Sequence, residues 1–207
     1  MICIVIPVKR LVRTKSRLAG IFGIDIRKRL TLYMLEDMLS IINNKTFQTI
    51  VVGYDDEVKD LSKRFDAIFI KDEDKGINEA ISLTDDYCKR FDASIVIPVD
   101  LLLLTPIDLF VLRDIARYKR RGIVITPSSR LDGTNILLRK PPLVMKTYYD
   151  KDSYLIHINK ALEDSLDVSI LLNNRIMYDL DSIDDINYLV NHNINKKSVS
   201  YLKQLKL

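Results

Sequence analysis

Apolar runs of strand length alternate with stretches of helical periodicity along most of this 207-residue chain. The first run, Ile2–Val8, is a continuous and mainly β-branched block, the pattern of a parallel strand covered on both faces. Similar runs at Thr49–Val52, Ala67–Ile70, Ser94–Pro98 and Ile123–Thr126 predict four more strands. Between them, Arg27–Ile42, Glu57–Arg64, Ile77–Lys89 and Asp108–Lys119 repeat apolar residues at helical intervals. Such alternation is what βαβ crossovers produce, so the predicted fold class is α/β around a mostly parallel sheet.

After Thr126 the pieces shorten. Asn135–Leu138 reads as a strand ended by Pro141-Pro142, and Asp152–Glu163 as a helix with Ser153 near its start. Val168–Leu172 and Ile176–Tyr178 flank Asn173-Asn174, which predicts a hairpin. A further helix starts at Ser182, where Ser182-Ile183-Asp184-Asp185 resembles a capping box with an acidic first turn, and runs to about Val190. One domain over residues 1–190 and a helical tail over 191–207 follow. In the tail Val199, Leu202 and Leu205 share one helical face, for which the domain itself or a second subunit of a homodimer are both open partners.

An apolar fraction of 47% with 29% charged residues is that of a folded globular chain. The net charge of +4 is small, acids are spread among the bases, and aromatics do not interleave with the cations, which argues against a nucleic-acid partner. Cys3 and Cys88 have no Cys-x-x-Cys spacing, so a disulfide framework or thiolate zinc site is not expected and a reducing compartment is. No apolar segment reaches membrane-spanning length, and the chain opens on a strand with no leader ahead of it, so the expectation is a soluble cytoplasmic protein.

The candidate chemistry gathers at strand ends. Lys9, Arg10, Arg13, Lys15 and Arg17 follow the first strand, where an open α/β sheet presents its ligand crevice, so this loop reads as a phosphate site or else as a solvated basic turn. Asp100 ends the Ile95-Val96-Ile97-Pro98-Val99 run and would project into the same crevice, as a magnesium ligand or as a helix cap. Asp179 and Asp181 lie on one face of an extended segment, either as a metal pair or as acids preceding a helix. Gly133-Thr134-Asn135 could offer amides to an anion or form an ordinary turn. Ser153 and His157 share a helical face, for anion binding or for capping. Gly76-Ile77-Asn78-Glu79-Ala80 could read a nucleobase edge through Asn78 or simply start a helix.

The order of these pieces resembles the 2-phospho-L-lactate guanylyltransferase family over nearly the full chain. The pieces are Ile6-Pro7-Val8-Lys9 with Lys15-Ser16-Arg17-Leu18, Gly76 to Ala80, Pro98-Val99-Asp100, Gly133-Thr134-Asn135, Ser153 to His157, and Asp179-Leu180-Asp181. The resemblance implies a single-domain three-layer sandwich of the nucleotide-diphospho-sugar transferase-like, Rossmann-like kind, related to the molybdenum-cofactor guanylyltransferases. It implies that 2-phospho-L-lactate attacks the α-phosphorus of GTP, with loss of pyrophosphate, in coenzyme F-420 biosynthesis. Magnesium would lie on Asp100, Asp179 and Asp181. Lys15 and Arg17 would act on the triphosphate, helped by Arg13, with Asn78 near the base; Lys9, Thr134 and Ser153 would bind the phosphorylated acid.

Three positions depart from the family pattern. Leu101-Leu102-Leu103 replaces a Leu-Pro step after Asp100, Asp132 replaces the first glycine of a Gly-Gly-Thr-Asn, and Asp150 stands where glycine is common. Phosphoenolpyruvate and phosphoglycerate stay open as acceptors, although an archaeal-looking composition rich in Ile, Lys and Asn favours phospholactate. A sugar-phosphate nucleotidyltransferase or glycosyltransferase of the same fold, and a catalytically idle nucleotide-binding protein, are the rival readings.

Overall fold

The computed structural model describes residues 1–42, 45–192 and 194–205. Seven strands form one sheet: β1 (Ile2–Val8), β2 (Phe47–Gly53), β3 (Ile68–Lys71), β4 (Ala93–Val96), β5 (Gly122–Pro127), β6 (Thr134–Lys140) and β7 (Asp167–Ile170). Their order is β3-β2-β1-β4-β6-β5-β7. Only β6 runs against its neighbours; the β1–β2, β1–β4, β2–β3 and β5–β7 pairs are parallel. Gly122 is needed where β5 meets β7, because a Cβ there would lie 1.9 Å from the Asp167 carbonyl oxygen.

Helices cover both faces. α1 (Ile24–Ile41), α2 (Asp56–Arg64), α5 (Pro106–Tyr118) and α8 (Ile183–Asn191) supply Leu30, Met34, Val58, Leu109, Leu112, Ile186 and Leu189 to a core shared with Ile4 and Ile6. The alternate β1 residues, Cys3 and Val5, pack on the opposite face with Ala80, Ile81 and Cys88. These come from α3 (Ile77–Ser82) and α4 (Asp85–Cys88). Farther along that face, Ala161 of α6 (Ser153–Glu163) meets Ile123, Ile125 and Leu137. This is the three-layer α/β sandwich that the strand and helix pattern implies, with period-2 alternation deciding which face each β1 side chain serves.

Several local expectations change. The single helix expected over 77–89 is broken, because the Thr84 N–H and hydroxyl both donate to the Ile81 carbonyl and end the first piece. α5 begins two residues early, set by Pro106 at its first position and a reciprocal Thr105–Asp108 capping box. The hairpin around Asn173-Asn174 does not form. β7 instead pairs in parallel with β5, and Asn174–Met177 is a short helix, α7, started by the Asn173 side chain accepting from the Arg175 N–H. Asn135 Nδ2 then holds the Ile176 carbonyl at 2.8 Å, drawing the chain back toward β6 instead of along β7.

The tail turns onto the domain. α9 (Lys197–Gln204) packs on α1, with Tyr201 edge-on to Tyr33 at 5.2 Å; Lys206 and Leu207, part of the expected tail, lie outside the described residues, as does Asn193. The start of α9 is capped from another helix: the buried Asp37 carboxylate accepts from the N–H groups of Lys197 and Ser198, each at 2.9 Å, and from the Ser198 hydroxyl. Asp37→Ala should therefore cost about 1–2 kcal/mol. Hydrogen exchange should show it as faster amide exchange confined to residues 197–204, with the β1, β2 and β4 amides still protected; uniform loss of protection would refute the local role of this cap.

Candidate active site

The sheet order places the carboxyl ends of β1 and β4 side by side, and the loops beyond them meet the segment that leads into α8. Lys15 sits in the β1 loop between two single 3-10 turns, with left-handed backbone angles of φ 47° and ψ 44°. That conformation costs a non-glycine residue on the order of 1–2 kcal/mol. Its side chain is only 7% exposed. The ammonium donates to Asp100 Oδ2 at 2.7 Å and to the Leu180 carbonyl, and lies 3.4 Å from Asp181 Oδ1. The Leu180 N–H returns a bond to the Asp100 carbonyl at 3.2 Å, so both loops are stitched through one lysine.

The electrostatics follow from this packing. Burial alone would lower the Lys15 pKa, but Asp100 and Asp181 outweigh it and hold the group charged. Asp181 is likewise pushed up by burial and pulled below its ordinary value by Lys15 and Arg17. Arg17 donates to Asp181 Oδ2, and Arg130 approaches the same oxygen at 3.4 Å. Asp179 is raised to about 6, first by burial and then by Asp100 and Asp181, against smaller opposing effects of Asn135 and Lys15. Three carboxylates and three cations thus form one coupled group.

The donor set was tested for a hard divalent cation. Asp100 Oδ1 is buried with no hydrogen-bond partner, and carboxylate oxygens are the ligands magnesium prefers. As they stand, no three His, Cys, Asp or Glu side chains among the described residues surround a common metal position. The Lys15 ammonium occupies the space between Asp100 and Asp181. Oxygen donors of the kind such an ion takes are therefore present, with an ammonium between them.

Beside this group opens a cleft of about 590 Å³, lined by Lys9, Arg13, Lys15, Arg17, Asp100 and Asp181 and, from the β3–α3 side, by Asp72, Gly76, Ile77 and Ala80. A depression of about 650 Å³ lies at the opposite, amino end of the sheet around Met1, Lys45, Asp92 and Lys140; it touches none of the site residues. The other expected contacts are engaged inside the protein. Asn78 accepts from the Tyr149 N–H at 2.7 Å and donates to the Tyr149 carbonyl, so its amide anchors a loop in place of facing the cleft. Ser153 Oγ accepts from the Thr134 N–H at 2.9 Å, and Thr134 Oγ1 lies 3.0 Å from His157 Nδ1; these groups line a buried network, not the cleft wall. The acid at Asp132 accepts from the Ser128 hydroxyl at 2.7 Å and pairs with Arg130, which offsets its charge beside the site.

Two residues of the site were missed in the sequence: Arg130, which reaches Asp181 in the charge cluster, and Asp72, which lines the cleft. Arg130 follows β5 in a polar stretch with no motif around it. Asp72 directly follows β3, so the strand-end rule that singled out Asp100 would have found it too.

Cations beside carboxylates at the carboxyl edge of such a sheet suit a ligand that carries phosphates, and the solved structures agree on the fold. One from Desulfovibrio desulfuricans, assigned as a nucleotide-diphospho-sugar transferase, superimposes with a TM-score of 0.77 at 16% identity, covering 99% of this chain and 95% of its own. Molybdopterin-guanine dinucleotide biosynthesis protein A from Archaeoglobus fulgidus gives a TM-score of 0.54 at 15% identity, covering 91% and 96%. The family model "Guanylyl transferase CofC like" matches residues 2–207, and the chain belongs to that family of nucleotidyltransferases. It is 27% identical to the 2-phospho-L-lactate guanylyltransferase of Methanobrevibacter smithii, over 98% of this chain and 90% of that one. It is 32% identical to the phosphoenolpyruvate guanylyltransferase of Roseiflexus sp. (strain RS-1), over 89% and 83%. No helix among the described residues is long and apolar enough to cross a membrane.

The buried network has a measurable signature. His157 Nε2 accepts from the Tyr148 N–H at 2.8 Å, which leaves the proton of the neutral ring on Nδ1; burial lowers the pKa to about 4. The unfolded chain takes up that proton near pH 6.5, so stability should fall as pH drops from about 6.5 to 4, by on the order of 3 kcal/mol in total. The raised Asp179 carboxyl contributes an opposite trend below about pH 6, so the effect is read as a difference: denaturant unfolding between pH 7 and 4 should show stability falling more steeply with acidification in the wild type than in His157→Asn, and equal slopes would exclude His157 as its source.

Proposed function

We propose that this guanylyltransferase joins GTP to 2-phospho-L-lactate, giving lactyl-2-diphospho-5'-guanosine and pyrophosphate in coenzyme F-420 biosynthesis. The observation that carries the reading is the convergence of Lys15, Arg17, Asp100 and Asp181 on one cleft, with the Asp179 carboxyl near enough to feel the charges of Asp100, Asp181 and Lys15. The acid's phosphate oxygen attacks the α-phosphorus in line, and pyrophosphate departs from the opposite side. A phosphate oxygen is already deprotonated at neutral pH, so no general base is required. This agrees with the burial of His157 and the engagement of both its nitrogens.

Catalysis then rests on positioning and charge. Lys15 leaves its acid partners for the triphosphate as the nucleotide enters, and Arg17 and Arg13 follow from the same loop. Lys9, exposed in the cleft wall with no acid partner among the described residues, takes the carboxylate or phosphate of the acceptor. Thr134 and Ser153 support the acceptor side by fixing the β6 and α6 ends. Magnesium on Asp100, Asp179 and Asp181 would neutralise the phosphate charge. Phosphoenolpyruvate is the second reading, favoured by the 32% identity to the Roseiflexus enzyme of that name.

Pyrophosphate release with GTP and magnesium should be fastest with 2-phospho-L-lactate and slower with phosphoenolpyruvate; the reverse order would install the second reading, and no release with either would leave an idle homologue. Loss of one charged group from such a site costs about 10²- to 10³-fold in kcat. Asp100→Asn and Lys15→Ala should each show that loss, and unchanged turnover in either would remove the residue from the machinery. Lys9→Ala should raise the KM for the acid with little change for GTP, whereas an unchanged KM would take Lys9 out of the acceptor site.

A further inference from the structure

Among the described residues no donor reaches the buried Oδ1 of Asp72. This residue follows β3, is 8% exposed and lines the cleft. Its neighbour Asp74, by contrast, pairs with Arg10 and Arg13. A buried, unpaired carboxylate oxygen is costly to maintain, and within a cleft that cost is relieved by a ligand that brings donors.

The position of Asp72 says which part of the ligand supplies them. The strands run β3-β2-β1-β4, so the ends of β3 and β4 are three spacings of about 4.8 Å apart, roughly 14 Å. Lys15 and Asp100 mark the phosphate end of that span, and Asp72 marks the far end, where a nucleoside's base would lie. The surroundings suit a flat heterocycle: Ile77 and Ala80 offer apolar surface beside Asp72. Gly76, at φ 132°, takes a backbone conformation that disfavours a side chain, and the Glu79 carboxylate stands 2.7 Å from where a Cβ would lie.

We propose that Asp72 is the residue that selects the nucleobase, accepting from the guanine N1–H and 2-amino group. This rests on the guanylyltransferase reading and replaces Asn78, whose amide is committed to Tyr149. Guanine alone among the common bases presents two adjacent donors on that edge, which a carboxylate receives with both oxygens. Adenine presents a bare ring nitrogen there and would face the charge without a donor.

The test compares GTP, ITP, XTP and ATP in pyrophosphate release for the wild type and Asp72→Asn, with thermal unfolding of both. A hydrogen bond to a charged group sets the scale of about ten- to hundredfold. The wild type should prefer GTP over ITP, which lacks the 2-amino group, by that factor. In Asp72→Asn the amide can donate to the 2-oxo group of xanthine, so the XTP-to-GTP ratio should rise at least tenfold. Equal use of GTP and ITP by the wild type, or a folded variant with unchanged ratios, would overturn the proposal. If the variant does not fold, the wild-type GTP-to-ITP ratio decides. If the wild type turns over no nucleotide, the functional reading fails and calorimetric binding takes over as the readout: tighter binding of GTP than ITP upholds the role of Asp72, and equal or absent binding ends it.

Discussion

The buried ammonium of Lys15 is the constraint on which the site depends. Removing an ammonium from water costs several kcal/mol, recovered only when acids and carbonyls meet it in good geometry. Asp100, the Leu180 carbonyl and Asp181 meet it, and they come from two segments far apart in the chain. The lysine thereby sets the distance between the loops beyond β1 and β4 and the segment entering α8. With Arg17 it also keeps Asp181 ionised in a pocket whose burial would otherwise favour the neutral form. Asp179, which feels its acidic neighbours more than it feels Lys15, shows the consequence in its raised pKa.

Such a group is suited to exchange partners. Its cations match phosphate oxygens and its carboxylates match a hard cation, so each half has a stronger partner among the proposed substrates than it has in the free protein. The rest of the cleft divides the labour along the sheet. The β1 and β4 ends hold charge, and the β3 end, with Asp72 beside apolar Ile77 and Ala80, is built for a base. Outside the cleft lining, Thr134, Ser153 and His157 form a buried network, and the half-buried Asn78 ties down the backbone of Tyr149.

Much of this was legible before any tertiary information. Long runs such as Ile2–Val8 announced buried strands because a continuous apolar run is a local signal, and strand ends in such a sheet face the ligand, which pointed to the whole cation set from Lys9 to Arg17 and to Asp100; the family resemblance alone separated Lys15 and Arg17 from the rest. The errors came where local pattern was ambiguous. Asn173-Asn174 suits a turn between strands as well as a helix start, and pairing with β5 decided between them. Thr84 breaks a helix by bonding backward to Ile81, which no apolar repeat records. Asn78, Thr134 and Ser153 are polar groups of the right kind near the right place. Their partners, Tyr149 and His157 among them, arrive from elsewhere in the chain and engage them inside the protein.

By itself, the sequence determined the α/β class, the faces of most elements and the strand ends at which charge would gather, because all of these rest on spacing between near neighbours. Which charges meet was settled only by tertiary structure. Strand order brings β1 beside β4, inserts the reversed β6 between β4 and β5, and sets β3 three strands away from Asp100. Pairing energies depend on distance and burial, and neither is written in local spacing. For that reason Lys15 could be read as a phosphate-loop cation but not as the buried clasp it is, and Asp72, its carboxylate unpaired, stayed hidden until the cleft around it was formed.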